Sequence, residues 1–111
     1  MRWLDLRIGG QRWIVNLVGE RSKYLRDDEG DACKGMTYCD ECRIYISSAL
    51  SEQARDELLV HELLHAILHV SGGSHAIGSE EKEELLVRDV TPLLHRILID
   101  LGFRFPKGLA E

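Results

Sequence analysis

The chain has 111 residues, enough for one hydrophobic core shared by a single domain spanning 1–111 and too few for a separate regulatory module. Apolar residues make up 44% and charged residues 30%, a balance that excludes a disordered chain. The net charge is -5 and the 14 basic residues are scattered, so nucleic acid is not the expected partner.

The opening MRWLDLRIGG is broken by Asp5 and Arg7, and the most apolar later stretch, Leu58 to Val70, carries His61, Glu62, His65 and His69. Neither an export signal nor a membrane span is expected. The three cysteines, an odd number in a chain read as unexported, point to reduced thiols and a cytoplasmic location.

In chain order, Trp3 to Ile8 and Gln11 to Val18 are two apolar-rich runs around Gly9-Gly10, which predicts a β-hairpin. Gly19 to Asp31 is charged and without period, which leaves a short helix and an exposed loop both open; Asp27, Asp28, Glu29 and Asp31 lack the rest of a calcium-loop pattern, so that acidic group reads as solvated loop. Lys34 to Ser47 reads as a second pair of short strands around a Cys39-Asp40-Glu41-Cys42 turn, with Ile44 and Ile46 on the buried side. Ser48 or Ser51 then caps a helix running to about Val70, stopped by Gly72-Gly73. Its apolar residues cover nearly the whole circumference, the mark of a central helix packed on several sides.

Ser79 caps a second helix with Glu80 and Glu81 in its first turn. Thr91-Pro92 predicts a kink or a restart, and the apolar pattern continues to Gly102. An irregular tail from Phe103 to Glu111 is expected.

Chemistry concentrates in His61-Glu62-Leu63-Leu64-His65. Two histidines four apart share one face of a helix about one turn apart, so both imidazoles can converge on one ion. Glu62 lies roughly 100° around the helix from His61, placed to act on a water at that ion without being a ligand. A buried apolar helix holding all three by chance is the bland alternative, but their desolvation is costly unless a divalent cation or equivalent partner satisfies them.

A catalytic zinc takes three protein ligands and leaves a position open, so a third must come from elsewhere. Glu80, Glu81, Glu83, Glu84 and His75 are the candidates. Projection of the second helix gathers Leu86, Val90, Leu93, Leu94, Ile97 and Leu101 into one inward stripe that contains Glu83, with Glu84 beside it. Glu83 is therefore the expected ligand. His69 reads as a helix-face or supporting group, and His95 as an exposed helix residue. Cys33, Cys39 and Cys42 lack a convincing fourth ligand for a structural zinc and read as plain thiols. Tyr38, Tyr45 and Arg88 could assist an oxyanion, with ordinary packing as their default.

HELLH and its following Ala66, preceded by a short strand and followed about twenty residues later by Glu83-Glu84 in an apolar helix, resembles the zincin metallopeptidases. The resemblance is to the small glutamate-liganded members of the ImmA/IrrE type and their phage- or prophage-encoded minimal relatives. It covers roughly Gly35 to Leu101, with HELLH as its sharply specific part. It implies zinc on His61, His65 and a second-helix glutamate, with Glu62 as general base. The helix-turn-helix that often accompanies such domains is not readable, and the metzincin extension is absent, because Leu68 and Ser71 hold its Gly and His positions. A later histidine ligand of the SprT type has His75-Ala76 as its nearest match, closer to the motif and without the Gly.

The expected fold is α+β: a small, mostly antiparallel sheet packed against a central HELLH helix and a second C-terminal helix. The expected function is zinc-dependent hydrolysis of peptide bonds in a peptide or protein substrate, with an extended peptide added beside Arg43 to Ile46. The alternative is a catalytically inactive zincin-like module that binds metal and acts through a protein partner.

Overall fold

The computed structural model describes residues 1–107, so the last four positions of the expected irregular tail lie outside the described residues. Gly9 and Gly10 both adopt positive φ, +57° and +84°, and so form the tight turn that joins β1 (Arg2–Ile8) to β2 (Gln11–Val18). The pair is antiparallel, with Ile8 opposite Gln11 and Leu6 opposite Trp13. A Cβ at Gly9 would collide with Val70 Cγ1, so the turn also lets the hairpin approach the first long helix closely.

The charged segment after β2 is a loop with one short 3-10 turn, Lys23–Leu25. Asp27 Oδ1 accepts from the N–H groups of Glu29 and Asp31 at 3.0 and 2.8 Å, so this carboxylate organises a local turn. The chain then forms β3 (Gly35–Tyr38), turns through Cys39–Glu41 with Cys42 left-handed at φ 55°, and returns as β4 (Arg43–Ser47).

Strand β4 inserts between β2 and β3, giving the order β1-β2-β4-β3. It runs parallel to β2 and antiparallel to β3, so the sheet is mixed, with two antiparallel pairings to one parallel. The peptide-binding role expected for Arg43 to Ile46 is overturned by this order, because both edges of β4 already carry ladder hydrogen bonds. The edge next to it belongs to β3.

Trp13, Val15, Ile44 and Ile46 are fully buried on the inner face of the sheet and pack, with Trp3, on Leu59 and Ala66. These last two lie on α1 (Glu52–Ser71), which starts at Ser51, whose hydroxyl accepts from the Ala54 N–H at 3.2 Å, and ends at left-handed Gly72. From Arg55 to Ala66 no residue of α1 is exposed, as expected of a helix covered by the sheet on one side and by a second helix on another. A five-residue helix α2 (Gly73–Ile77) leads to α3 (Glu80–Asp100), capped by the Ser79 hydroxyl on the Lys82 N–H at 3.1 Å.

Helix α3 is continuous through Pro92, so of the two expected arrangements the restart does not occur. Its expected inward stripe is also corrected. Val87, Thr91 and His95 are buried and Val90, Leu94 and Leu98 half-buried, whereas Leu86, Leu93, Ile97 and Leu101 are exposed. The apolar residues of α3 span two adjoining stripes, and periodicity alone does not choose between them. His95 is accordingly in the interior, not on the surface, with its ring 5.6 Å from that of Phe105.

The two ends of the described chain meet over the start of α1. Trp3 Nε1 donates to the carbonyls of Pro106 and Lys107 at 3.2 and 3.0 Å, and the Arg55 guanidinium lies 4.6 Å from the Trp3 ring. Arg55 also pairs with buried Asp56 at 3.3 Å. Replacing Trp3 by Ala should therefore cost about 3–5 kcal/mol in urea unfolding. Trp3→Phe, which keeps the stacking surface but leaves the two carbonyls without this donor, should fall between it and wild type.

Candidate metal centre

The apolar run of α1 holds His61, Glu62 and His65 where the helix is covered, so each needs a polar partner from another element. Glu62 is 5% exposed, and its Oε1 accepts from the Thr37 hydroxyl at 2.7 Å. The same hydroxyl lies 3.3 Å from the Glu62 carbonyl oxygen. Close approach of β3 is what brings Thr37 there. A Cβ at Gly35, two residues earlier, would stand 3.0 Å from Leu58 Cδ2 and 3.3 Å from Glu62 Cγ. Thr37 and Gly35 escaped the sequence reading, in which Thr37 was only a strand residue; their one prior signal is a position in the strand that precedes HELLH.

The histidines meet α3. His61 Nε2 is 3.0 Å from Glu84 Oε1, and His65 Nε2 is 2.8 Å from Glu84 Oε2. His65 Nδ1 is 2.6 Å from Glu83 Oε2. Ligand atoms of His61, His65 and Glu84 lie within 4.8 Å of one another, and among the described residues no other group of three or more His, Cys, Asp or Glu does so. Glu83, the residue expected as third ligand, is not in that group; it stands behind His65 on the ring's other nitrogen. The difference follows from the rotation of α3: Glu83 points between the helices, whereas Glu84, about half exposed, reaches across the mouth of the site.

The remaining candidates stand elsewhere. Glu80 lines the same open groove, of about 860 Å³, but is not in the converging group, and neither are Glu81 and His75. His69 is exposed near the C-terminal end of α1. Tyr38 donates its hydroxyl to the Tyr24 carbonyl at 3.0 Å, and Tyr45 stacks on Tyr24 with centroids 4.3 Å apart, so both belong to an aromatic cluster. Arg88 faces Asp89 on the surface. Cys33, Cys39 and Cys42 are half-buried free thiols, and burial raises the pKa of Cys33 and Cys39, which favours the protonated form.

Burial pushes Glu62 above the ordinary carboxylate range against the opposing pull of the Thr37 hydroxyl and the two imidazoles. For His65 burial acts against the charged ring, but the Glu83 hydrogen bond and the Glu62 and Glu84 carboxylates outweigh it, and its pKa is raised. Burial would raise Glu83; the Ser74 hydroxyl and His65 reverse this, leaving it lowered. A ring with carboxylates at both nitrogens is satisfied as the imidazolium, with a proton on each.

The donor set fits a divalent cation. Two imidazole nitrogens and one carboxylate oxygen within a single small space match the ligand number and type of a catalytic zinc site that keeps a fourth position open. Glu83 on His65 Nδ1 would fix the tautomer that presents Nε2 to the ion. No family model, curated protein or solved structure matches the chain. Among the described residues no helix is long and apolar enough to cross a membrane.

Without metal, the His65–Glu83 pair makes stability depend on pH with a definite sign. The His65 contribution is complete below its unfolded value near about 6.5 and is lost as pH rises through the higher folded value. The Glu83 contribution is present above its unfolded value near about 4.3 and is lost as pH falls through the lower folded value. Glu83→Gln should therefore lower the melting temperature in chelator most between about pH 5 and 6, and progressively less as pH rises through the raised His65 value. Thr37→Val, which strips the buried Glu62 of its donor, should destabilise by about 1–3 kcal/mol in urea unfolding.

Proposed function

We propose that this protein is a zinc-dependent metallopeptidase in which His61, His65 and Glu84 hold the ion and Glu62 is the general base. The carrying observation is the convergence of those three ligand atoms beside a buried carboxylate that Thr37 holds in place. Glu83 replaces the expected ligand role with a positioning one, gripping His65 from behind. A divalent cation at this site would polarise the scissile carbonyl and acidify a water molecule.

Glu62 takes the proton from the attacking water and delivers it to the departing amine. A carboxylate whose pKa burial has raised is a stronger base than an exposed one, and the Thr37 hydroxyl on Oε1 leaves Oε2 to face the site. His61 Nε2 lies 3.9 Å from that Oε2, so base and ligand set adjoin.

The substrate is an extended peptide laid along β3. This strand is the sheet edge, its residues line the groove together with His61, Glu62 and His65, and its free backbone groups can pair with a further strand. Such pairing would bring the substrate backbone alongside Glu62, because Thr37 of β3 touches that carboxylate.

The decisive experiment measures zinc content and proteome-wide peptide cleavage together. Glu62→Gln should retain one zinc and lose about 10²–10⁴-fold in cleavage rate. Stoichiometric zinc in a wild-type protein that cleaves nothing across a broad peptide library would overturn the peptidase reading in favour of a metal-binding module acting through a partner.

Ligand assignment has its own test by zinc titration. Glu84→Ala should weaken binding more than Glu83→Ala, whose loss should be about 10–100-fold. Unchanged affinity in Glu84→Ala would remove that residue from the ligand set. Because the ion competes with a proton for His65 Nε2, affinity should rise with pH until the raised His65 pKa has been passed.

A further inference from the structure

The outer face of α3 carries an apolar stripe that nothing in the described chain covers. Leu86 is 46% exposed, Leu93 67%, Ile97 54% and Leu101 77%. At 100° per residue these four fall within an arc of about 80°. Glu84 projects about 180° from Leu93, whereas Glu83, which grips His65, shares the angle of Leu101 but lies about five turns away along the helix, so the stripe adjoins the side of α3 that serves the metal centre without including its ligand. Together they present on the order of 400–500 Å² of surface, comparable to the largest apolar patch of a typical monomer, which is often functional.

The charges beside the stripe say what fits it. Lys82, Asp89, Arg96 and Asp100 are all exposed and lie along one flank of the stripe, in the order positive, negative, positive, negative. A second α3 laid on the first in the same direction puts the two charged flanks on opposite sides of the pair, where none of these charges meets its complement. Turned end for end about a point near Pro92, the same sequence sets Lys82 against Asp100 and Asp89 against Arg96, each pair occurring twice by symmetry. The same turn sets Leu86 against Ile97 and Leu93 against Val90, so the apolar and charged matches share one register. The ion pairs now within one chain, Arg96 with Asp100 at 3.1 Å and Arg88 with Asp89 at 3.5 Å, are exposed and exchange readily for contacts across an interface.

We propose that the chain forms a two-fold symmetric homodimer through this face, with the two α3 helices antiparallel and crossing near Pro92. Glu84 of each chain then projects away from the interface. An area below the roughly 800 Å² per partner of a standard interface places the dimer among the weak, reversible ones.

Sedimentation equilibrium of the full chain with zinc, from about 1 to 500 µM, should show a monomer–dimer equilibrium. Leu93→Asp should leave a monomer throughout with an unchanged circular dichroism spectrum, since this side chain already meets solvent. Asp89→Arg should weaken the dimer about tenfold, by placing two arginines together on each side of the two-fold axis. The double variant Asp89→Arg with Arg96→Asp should bring the dissociation constant back to within a few-fold of wild type, a rescue that loss of a merely sticky surface would not give. A wild-type monomer at every concentration would overturn the proposal, as would association that Leu93→Asp leaves intact or that the double reversal fails to restore. In the first case the stripe serves a different protein or none.

Discussion

Three polar side chains occupy the middle of a helix that is otherwise apolar, and the fold is arranged around satisfying them. His61, Glu62 and His65 cannot face water freely, because no residue of α1 from Arg55 to Ala66 is exposed. Each lost hydration contact must be replaced, since an unpartnered buried carboxylate or imidazolium costs several kcal/mol. The replacement comes from both sides of the helix: Thr37 from the sheet, and Glu83 and Glu84 from α3. Neither layer could shift by a residue without leaving one of these groups unpaired.

That requirement accounts for two otherwise odd features. Gly35 lies where β3 crosses α1 so closely that a side chain would press on Leu58 and Glu62, and the missing Cβ is what lets Thr37 reach its carboxylate. Helix α3 turns the stripe with Thr91 and His95 in it toward the interior and Leu86, Leu93, Ile97 and Leu101 outward. The carboxylates at its N-terminal end meet the histidines only in this rotation. Thr91 adapts to the buried position by donating to the Val87 carbonyl at 2.6 Å, and His95 by stacking with Phe105.

The position of β4 links the sheet to the site. By entering between β2 and β3 it places Ile44 and Ile46 at the centre of the core and pushes β3 to the rim above α1. One strand order thus supplies the hydrophobic floor under HELLH, the donor for Glu62 and a free edge along the groove. The same hydroxyl that fixes the carboxylate also opposes the rise in pKa caused by burial, so Glu62 is both oriented and moderated by a single neighbour.

By itself the sequence determined the local features, because their causes lie within a few residues. Gly9-Gly10 specified the hairpin turn, Ser79 the start of α3, and the His61–His65 spacing two imidazoles on one face, while the start of α1 was narrowed to Ser48 or Ser51, of which the structure uses Ser51. The α+β architecture follows from the same runs of strand and helix pattern. Only the tertiary structure decided which strand lies between which, that Glu84 and not Glu83 spans the two Nε2 atoms, that Thr37 holds Glu62, and that His95 is buried. Adjacent glutamates at a helix start are equivalent to any periodicity argument, and a helix with two apolar stripes carries no local mark of which one faces inward. Those choices depend on the fit between α3 and a surface built from α1 and the sheet, whose residues are remote in the chain.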